Sequence, residues 1–220
     1  MRLLLVLLAL ASAPAFSQAP PPRDNTNDIS VHLLILGTGH YRFENGVDMR
    51  NDGGGGIGAS VARNLNNHIA VGADLTFSAF GTRSHVTPGT DNPHGAFDVD
   101  GDVEMAAIRL HATWYLLSGP VTPFITGGVG ANYVNPTFDS HPPVNDRCWN
   151  YPMYGEVCRD TSPTRPLLRL GYGAGAGVRV DLPRRQGFLR LMAGGEWIEF
   201  PEATKTVGYV QVRPDFGIAF

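Results

Sequence analysis

The chain has 220 residues, with 17 Lys and Arg against 20 Asp and Glu and a formal net charge of −3. That balance lacks the basic excess of a nucleic-acid binder, so no nucleic-acid partner is expected. No apolar run approaches the ~20 residues of a membrane-spanning helix, so a chain of this composition that crosses a bilayer must do so with strands.

Residues 1–19 carry the features of an export signal: the charge of Arg2, an apolar run from Leu3 to Leu10, and small residues in which Ala13-Pro14-Ala15 fits an A-x-A cleavage pattern. Residues 20–28 are polar and rich in Pro, cannot build a core, and are expected to form a disordered arm. Residues 29–220 then read as one strand-rich domain. Ile29, Val31, Leu33 and Ile35 alternate with Ser30, His32, Leu34 and Leu36 in a first strand that is mixed on its second face. Ile57, Ala59 and Val61 mark a weaker second strand within Gly53 to Arg63, and Ile69 to Ala79 gives a clear third.

A fourth strand sets Ile108, Leu110, Ala112 and Trp114 against Arg109, His111, Thr113 and Tyr115. The fifth has Ile125, Val129, Ala131 and Tyr133 on its apolar row, and the sixth has Leu168, Leu170, Tyr172 and Ala174. Leu189, Leu191, Ala193 and Trp197 define the seventh, and the alternation of the eighth continues from Val210 through Phe220. Connections alternate long and short: 41–52, 81–102 and 135–166 are long, whereas 64–68, 118–123 and 182–187 are tight. Short turns on one side and long loops on the other, with an even strand count, are the pattern of an outer-membrane barrel.

Arginine facing lipid at mid-depth costs about 2–4 kcal/mol. Arg109, Arg169, Arg179, Arg190 and Arg213 share the polar parity of their strands with Asp74, Asp181, Glu196 and Asp215. These nine residues are therefore assigned to a lumenal ion-pair network, because eight strands enclose a space that side chains fill and a buried charge needs a partner. Aromatic residues are expected as two interfacial girdles, one of Trp114, Tyr115, Phe124, Phe188 and Phe220, the other of Phe77, Phe80, Tyr133, Trp197 and Phe200.

The export signal, eight alternating segments, loop rhythm and terminal Phe220 together resemble the small outer-membrane β-barrel superfamily, similar to the transmembrane domain of outer-membrane protein A and its single-domain relatives. The resemblance implies an all-β, eight-stranded antiparallel up-and-down transmembrane β-barrel with a polar, largely plugged interior, placed in the bacterial outer membrane with its N-terminus periplasmic. It further implies contact with outer-membrane lipid and lipopolysaccharide, and a barrel-assembly machinery that reads Phe220 as part of its signal. No peptidoglycan-binding domain is expected beside the barrel, and Pro214, which cannot donate to a ladder, suggests a bulge in the last strand.

Other motifs point elsewhere with less force. Gly53 to Gly58 and Gly171 to Ala176 match glycine-rich dinucleotide fingerprints, but the residues after them keep a period of two where a helix is required. Asp98, Asp100 and Asp102 around Gly101 resemble the start of a calcium loop, without the later bidentate Glu, and stand as a weak candidate metal site. Cys148 and Cys158 lie in a polar segment of an exported chain and are expected to clasp the loop as a disulfide. No cofactor is implied. The function expected is a non-enzymatic structural or surface-interaction scaffold whose external loops meet a ligand. The alternatives are a channel for small solutes or hydrophobic ligands, a lipid-modifying enzyme drawing on Ser60, Ser78 or Ser84, and a soluble lipocalin-like carrier whose apolar rows would face inward.

Overall fold

The computed structural model describes residues 23–42, 47–86, 96–138, 149–151, 155–157, 167–182, 186–199 and 207–220. The strands are β1 (Asn27–Leu36), β2 (Gly39–Arg42), β3 (Val47–Asn64), β4 (Ile69–Val86), β5 (Phe97–Tyr115), β6 (Val121–Phe138), β7 (Trp149–Tyr151), β8 (Gly155–Val157), β9 (Leu167–Asp181), β10 (Gly187–Ile198) and β11 (Val207–Ala219). β7 and β8 form a separate small hairpin. The others run in the order β1-β11-β10-β9-β6-β5-β4-β3-β2, and β1 also pairs with β3, so the sheet closes on itself. β1 and β2 are two parts of one stave against β3, which makes a closed, eight-stranded antiparallel β-barrel.

Closure extends to the final residue. Phe220 and Asn27 exchange backbone hydrogen bonds of 2.9 and 2.8 Å, leaving no free edge at that seam. Pro214 produces no bulge: β11 keeps one register with β10 through Leu191–Pro214, and the ladder with β1 resumes in register at Ile35–Val212. The shift lies elsewhere, between Asn51 and Gly54 of β3. There Gly53 takes φ +87 and its N–H donates to Asn51 Oδ1 at 2.7 Å, a left-handed conformation that a side chain would strain. This bulge and the break between β1 and β2 swap parity together, so that Val47, Met49 and Tyr41 turn inward.

Along the greater part of the barrel the apolar row faces out. Val31, Leu110, Val129, Leu168 and Val210 are each at least 60% exposed, while Asp28, Asp74, Arg179, Arg190, Glu196, Arg213 and Asp215 on the opposite parity are buried. An outward greasy wall around a buried charged interior is the reverse of a water-soluble carrier, and the lipocalin-like arrangement is thereby excluded.

β3, β4 and β6 have 18 residues and β5 has 19, against the 9–11 that cross a bilayer. Their surplus runs toward the long connections, into stretches that the sequence pattern assigns to loops. In that extension the chemistry of the two faces is exchanged. Arg50, Asp52, Arg83, His85, Asp98 and Asp100 point outward and are exposed, while Val47, Met49, Phe97 and Val99 are buried inside. On β5 the parity is unbroken from end to end, and the outward residues pass from apolar to charged near Ala106 and Glu104.

The girdle assignment needs correction by parity. Phe77, Tyr133, Trp197, Trp114 and Phe220 are exposed on the outer wall, with Trp197 stacked on Tyr172 at 5.6 Å. Phe80, Tyr115, Phe124 and Phe188 sit one residue out of phase with that wall and are buried in the interior. Phe200 lies outside the described residues, as do residues 1–22 of the signal and arm.

Candidate functional site: the charged interior

The interior is built in tiers. At the short-turn end, Arg179 reaches across from β9 to Asp28 of β1 and donates through Nε to Asp181 at 2.6 Å and through Nη1 to the Tyr115 hydroxyl at 3.2 Å. Its guanidinium lies 4.0 Å from the Phe188 ring centroid, within cation–π range. Arg23 caps this tier from the N-terminal segment. It pairs with Asp181 at 3.2 Å, donates to Gly119 O at 3.0 Å and Thr122 Oγ1 at 2.5 Å, and stacks 4.6 Å from the Tyr115 centroid. Burial lowers the Arg23 pKa, offset in part by Asp181.

The sequence pattern assigns residues 20–28 to a disordered arm. Of these, Arg23 is buried, Thr26 accepts from Asn64, and Asn27 and Asp28 already belong to β1. Replacing Arg23 by Ala removes three charge-assisted contacts at once. A loss of about 1.5–3 kcal/mol is expected, read as a lower urea midpoint for the refolded protein.

The middle tier is the densest. Arg213 of β11 donates from Nη1 and Nη2 to Asp74 of β4 at 3.1 and 3.0 Å and from Nε to Asp215 at 2.7 Å. Arg190 of β10 meets the other oxygen of Asp215 at 2.8 Å and donates to Ser30 at 3.0 Å. His111 lies 3.2 Å from Asp74, and His32 Nε2 is 3.1 Å from Thr76 Oγ1. In the next tier Arg109 is ion-paired with Glu196, and Arg169 lies opposite Asn132 on β6. The nine residues assigned from parity are thus brought to one interior, and eight of them belong to described ion pairs across or along the strands. His32, Tyr115, Arg23 and Asp28 were not among them. Ser30-x-His32 and the out-of-phase Tyr115 were legible as polar-parity residues, whereas Arg23 precedes any strand and carried no signal.

Glycine makes room for these long side chains. A Cβ at Gly58 would collide with the His32 ring and one at Gly171 with the Asn132 amide, so glycine on the inner row serves close packing. Beyond the Arg109–Glu196 pair the lumen turns apolar, filled by Leu34, Leu36, Met49, Phe80, Val103, Met105, Val134, Ile198 and Tyr209. A cavity of about 30 Å³ remains between Asp74, Arg109, His111, Arg190, Arg213 and Asp215, and one of about 10 Å³ within the apolar tier. The first is room for a water molecule or two.

Thr76, His32 and Asp215 stand in the order of a nucleophile, base and orienting acid, but His32 Nδ1 is 4.0 Å from Asp215 and all three are buried, with no space beside them for a substrate. Ser60, Ser78 and Ser84 also point inward and are buried, away from the wall where a lipid-modifying site would need them. Among the described residues no group of three His, Cys, Asp or Glu is placed to hold a metal ion. Asp98, Asp100 and Asp102 lie on the outward row of β5, where Asp98 pairs with His85 at 2.6 Å and Asp100 with Arg83 at 3.0 Å. Cys148 and Cys158 lie outside the described residues.

No family model and no curated protein matches the chain. Among solved structures it is similar to Ail, the attachment invasion locus protein of Yersinia pestis, solved in complex with the heparin analogue sucrose octasulfate. That likeness has 12% identity and a TM-score of 0.49, covering 90% of this chain and 99% of that one. The N-terminal β-barrel domain of OprF from Pseudomonas aeruginosa is 12% identical at TM-score 0.45, covering 91% and 100%. The outer-membrane protease OmpT from Escherichia coli is 10% identical at TM-score 0.38, covering 92% and 99%. The eight-stranded closure stands on the pairing register itself.

Proposed function

We propose that this protein is an integral barrel of the bacterial outer membrane that acts as a non-enzymatic scaffold, presenting its long connections to ligands at the cell surface. The observation that carries this reading is the outer wall, a continuous band of exposed Ile, Val, Leu and aromatic side chains around a closed sheet whose charges are paired inside. Such a wall is stable only in hydrocarbon. The short turns and the N-terminus then belong to the periplasm and the extended strands to the exterior. Outer-membrane lipid and lipopolysaccharide are its surroundings, and the assembly machinery is the reader of Phe220.

A rigid, filled barrel suits presentation, since loops on rigid supports carry recognition. The channel alternative would require the Arg–carboxylate tiers and the apolar tier to part together. The test is heat-modifiability: unboiled protein in detergent migrates as a compact species that shifts on boiling, and it fractionates with outer membranes. Recovery in the soluble periplasmic fraction without detergent would overturn the proposal.

A further inference from the structure

We propose that the short-turn end of the barrel carries a binding pocket for a guanidinium group, which the chain's own Arg23 occupies as an intramolecular plug. The pocket lies across the mouth from the strand that delivers its occupant. β9 and β6 stand three and four staves from β1 around the closed sheet, and Arg23, four residues before β1, reaches both. Its Nε meets Asp181 Oδ2 at 3.2 Å, and its Nη2 donates to Gly119 O at 3.0 Å and to Thr122 Oγ1 at 2.5 Å. The guanidinium carbon sits over the Tyr115 ring, 4.6 Å from its centroid. Acceptors on two nitrogens with an aromatic ring below the carbon suit a planar, forked donor better than the point charge of an ammonium. Charge also calls for a cation there. Among the described residues, Arg23 and Arg179 face Asp28 and Asp181 in this tier, two charges of each sign. Without Arg23 one carboxylate charge is left over in a largely buried place, which is strongly unfavourable.

The occupant itself is tethered lightly. The Arg23 N–H donates to Asn67 Oδ1 at 2.9 Å, and the Arg23 carbonyl accepts from the N–H and hydroxyl of Thr26 at 3.2 and 2.8 Å. Asn25 takes φ 58 in this turn, a left-handed conformation that Asn tolerates. The turn thus aims Arg23 over the mouth with no ladder pairing of its own, since β1 begins at Asn27. Arg23 Nη1 is buried without a hydrogen-bond partner among the described residues, an unmet donor that weakens the plug. Closure of the sheet runs through Asn27 and Phe220, so the plug can leave while the barrel stays closed. A guanidinium from another source, on a small molecule or on an arginine-bearing segment, can then take the same contacts. The pocket stands on the barrel fold, and only its assignment to the periplasm rests on the membrane orientation proposed above.

The test is chemical rescue of the full chain carrying Arg23→Ala, folded in detergent micelles, with the urea midpoint followed as ethylguanidinium chloride is added. The midpoint is expected to rise saturably toward that of the wild type, as binding to the folded state alone requires, while the wild type does not respond. Ethylammonium chloride should act about tenfold more weakly, the equivalent of one charge-assisted hydrogen bond lost. Adding Asp181→Asn to Arg23→Ala rebalances the tier and should abolish the response. A peptide with the sequence of residues 21–25 adds the backbone contact to Asn67. Its action at lower concentration than ethylguanidinium points to an arginine-bearing segment as the ligand, and parity points to a small guanidinium compound. Should Arg23→Ala not fold by itself, its folded yield with and without ethylguanidinium replaces the midpoint. No rise in midpoint or yield, an equal rise in the wild type, equal action of ethylammonium, or a response that survives Asp181→Asn would each overturn the inference. The heat-dependent shift is measured on the same samples: its absence in the wild type sinks the barrel reading, whereas its presence without rescue sinks only this pocket.

Discussion

Arg213→Ala is expected to destabilise the barrel by about 3–5 kcal/mol, because removing one partner of a buried pair leaves the other charge unpaired. Arg213 makes three contacts of 2.7–3.1 Å with Asp74 and Asp215. Asp215 would retain Arg190, but Asp74 would keep only His111. The double variant Arg213→Leu with Asp74→Leu removes both members of the main pair and leaves Asp215 with Arg190, so much of the loss should be recovered. Urea unfolding followed by tryptophan fluorescence in lipid vesicles separates the cases. An unchanged midpoint for Arg213→Ala would mean that this network does not hold the staves together.

Leu110→Arg is expected to cost about 2–4 kcal/mol of insertion free energy, since Leu110 lies midway along the apolar row of β5 and is 64% exposed. Leu75→Arg, on the neighbouring strand directly opposite Ile108, should behave alike. His85→Arg, on the outward row of the extension, should be close to neutral, because the face there is already charged and wet. Folding yield in vesicles, measured by the fraction of protein that resists heat-free denaturation in detergent, reads all three. In a soluble barrel none of the three would matter, so equal yields would remove the membrane assignment.

Much of the fold could be read from the sequence because, over the greater part of the barrel, each strand shows an apolar parity outward and a polar one to a packed interior. Leu110 and Arg109 announce their faces by chemistry alone. The same signal misled where the environment changed. Past Glu104 the outward row is charged: Asp98, Asp100, Arg83 and Arg50 lie on it and are exposed, with Val99 and Met49 on the inner row. Judged by the rule for the band, these stretches look like polar loops, whereas they are strand. The parity swap at Gly53 could not be foreseen either, since four consecutive glycines carry no facing. Leu34 and Leu36 were seen as a mixed face; they are the first residues of the apolar tier. The partners of the charged residues were invisible for a simpler reason. Pairs such as Arg213 with Asp74 and Arg179 with Asp28 are 139 and 151 positions apart, brought together only by closure.

The apolar tier at the outer end has a consequence for how the protein can vary. Because Phe97, Val99, Val47 and Met49 pack on one another, the projecting stalk carries its own oil-drop centre and does not depend on hydrocarbon for its shape. Anchorage and display are therefore held by different forces on the same continuous ribbons. On the membrane reading proposed above, the tip can be altered without disturbing how the cylinder is held.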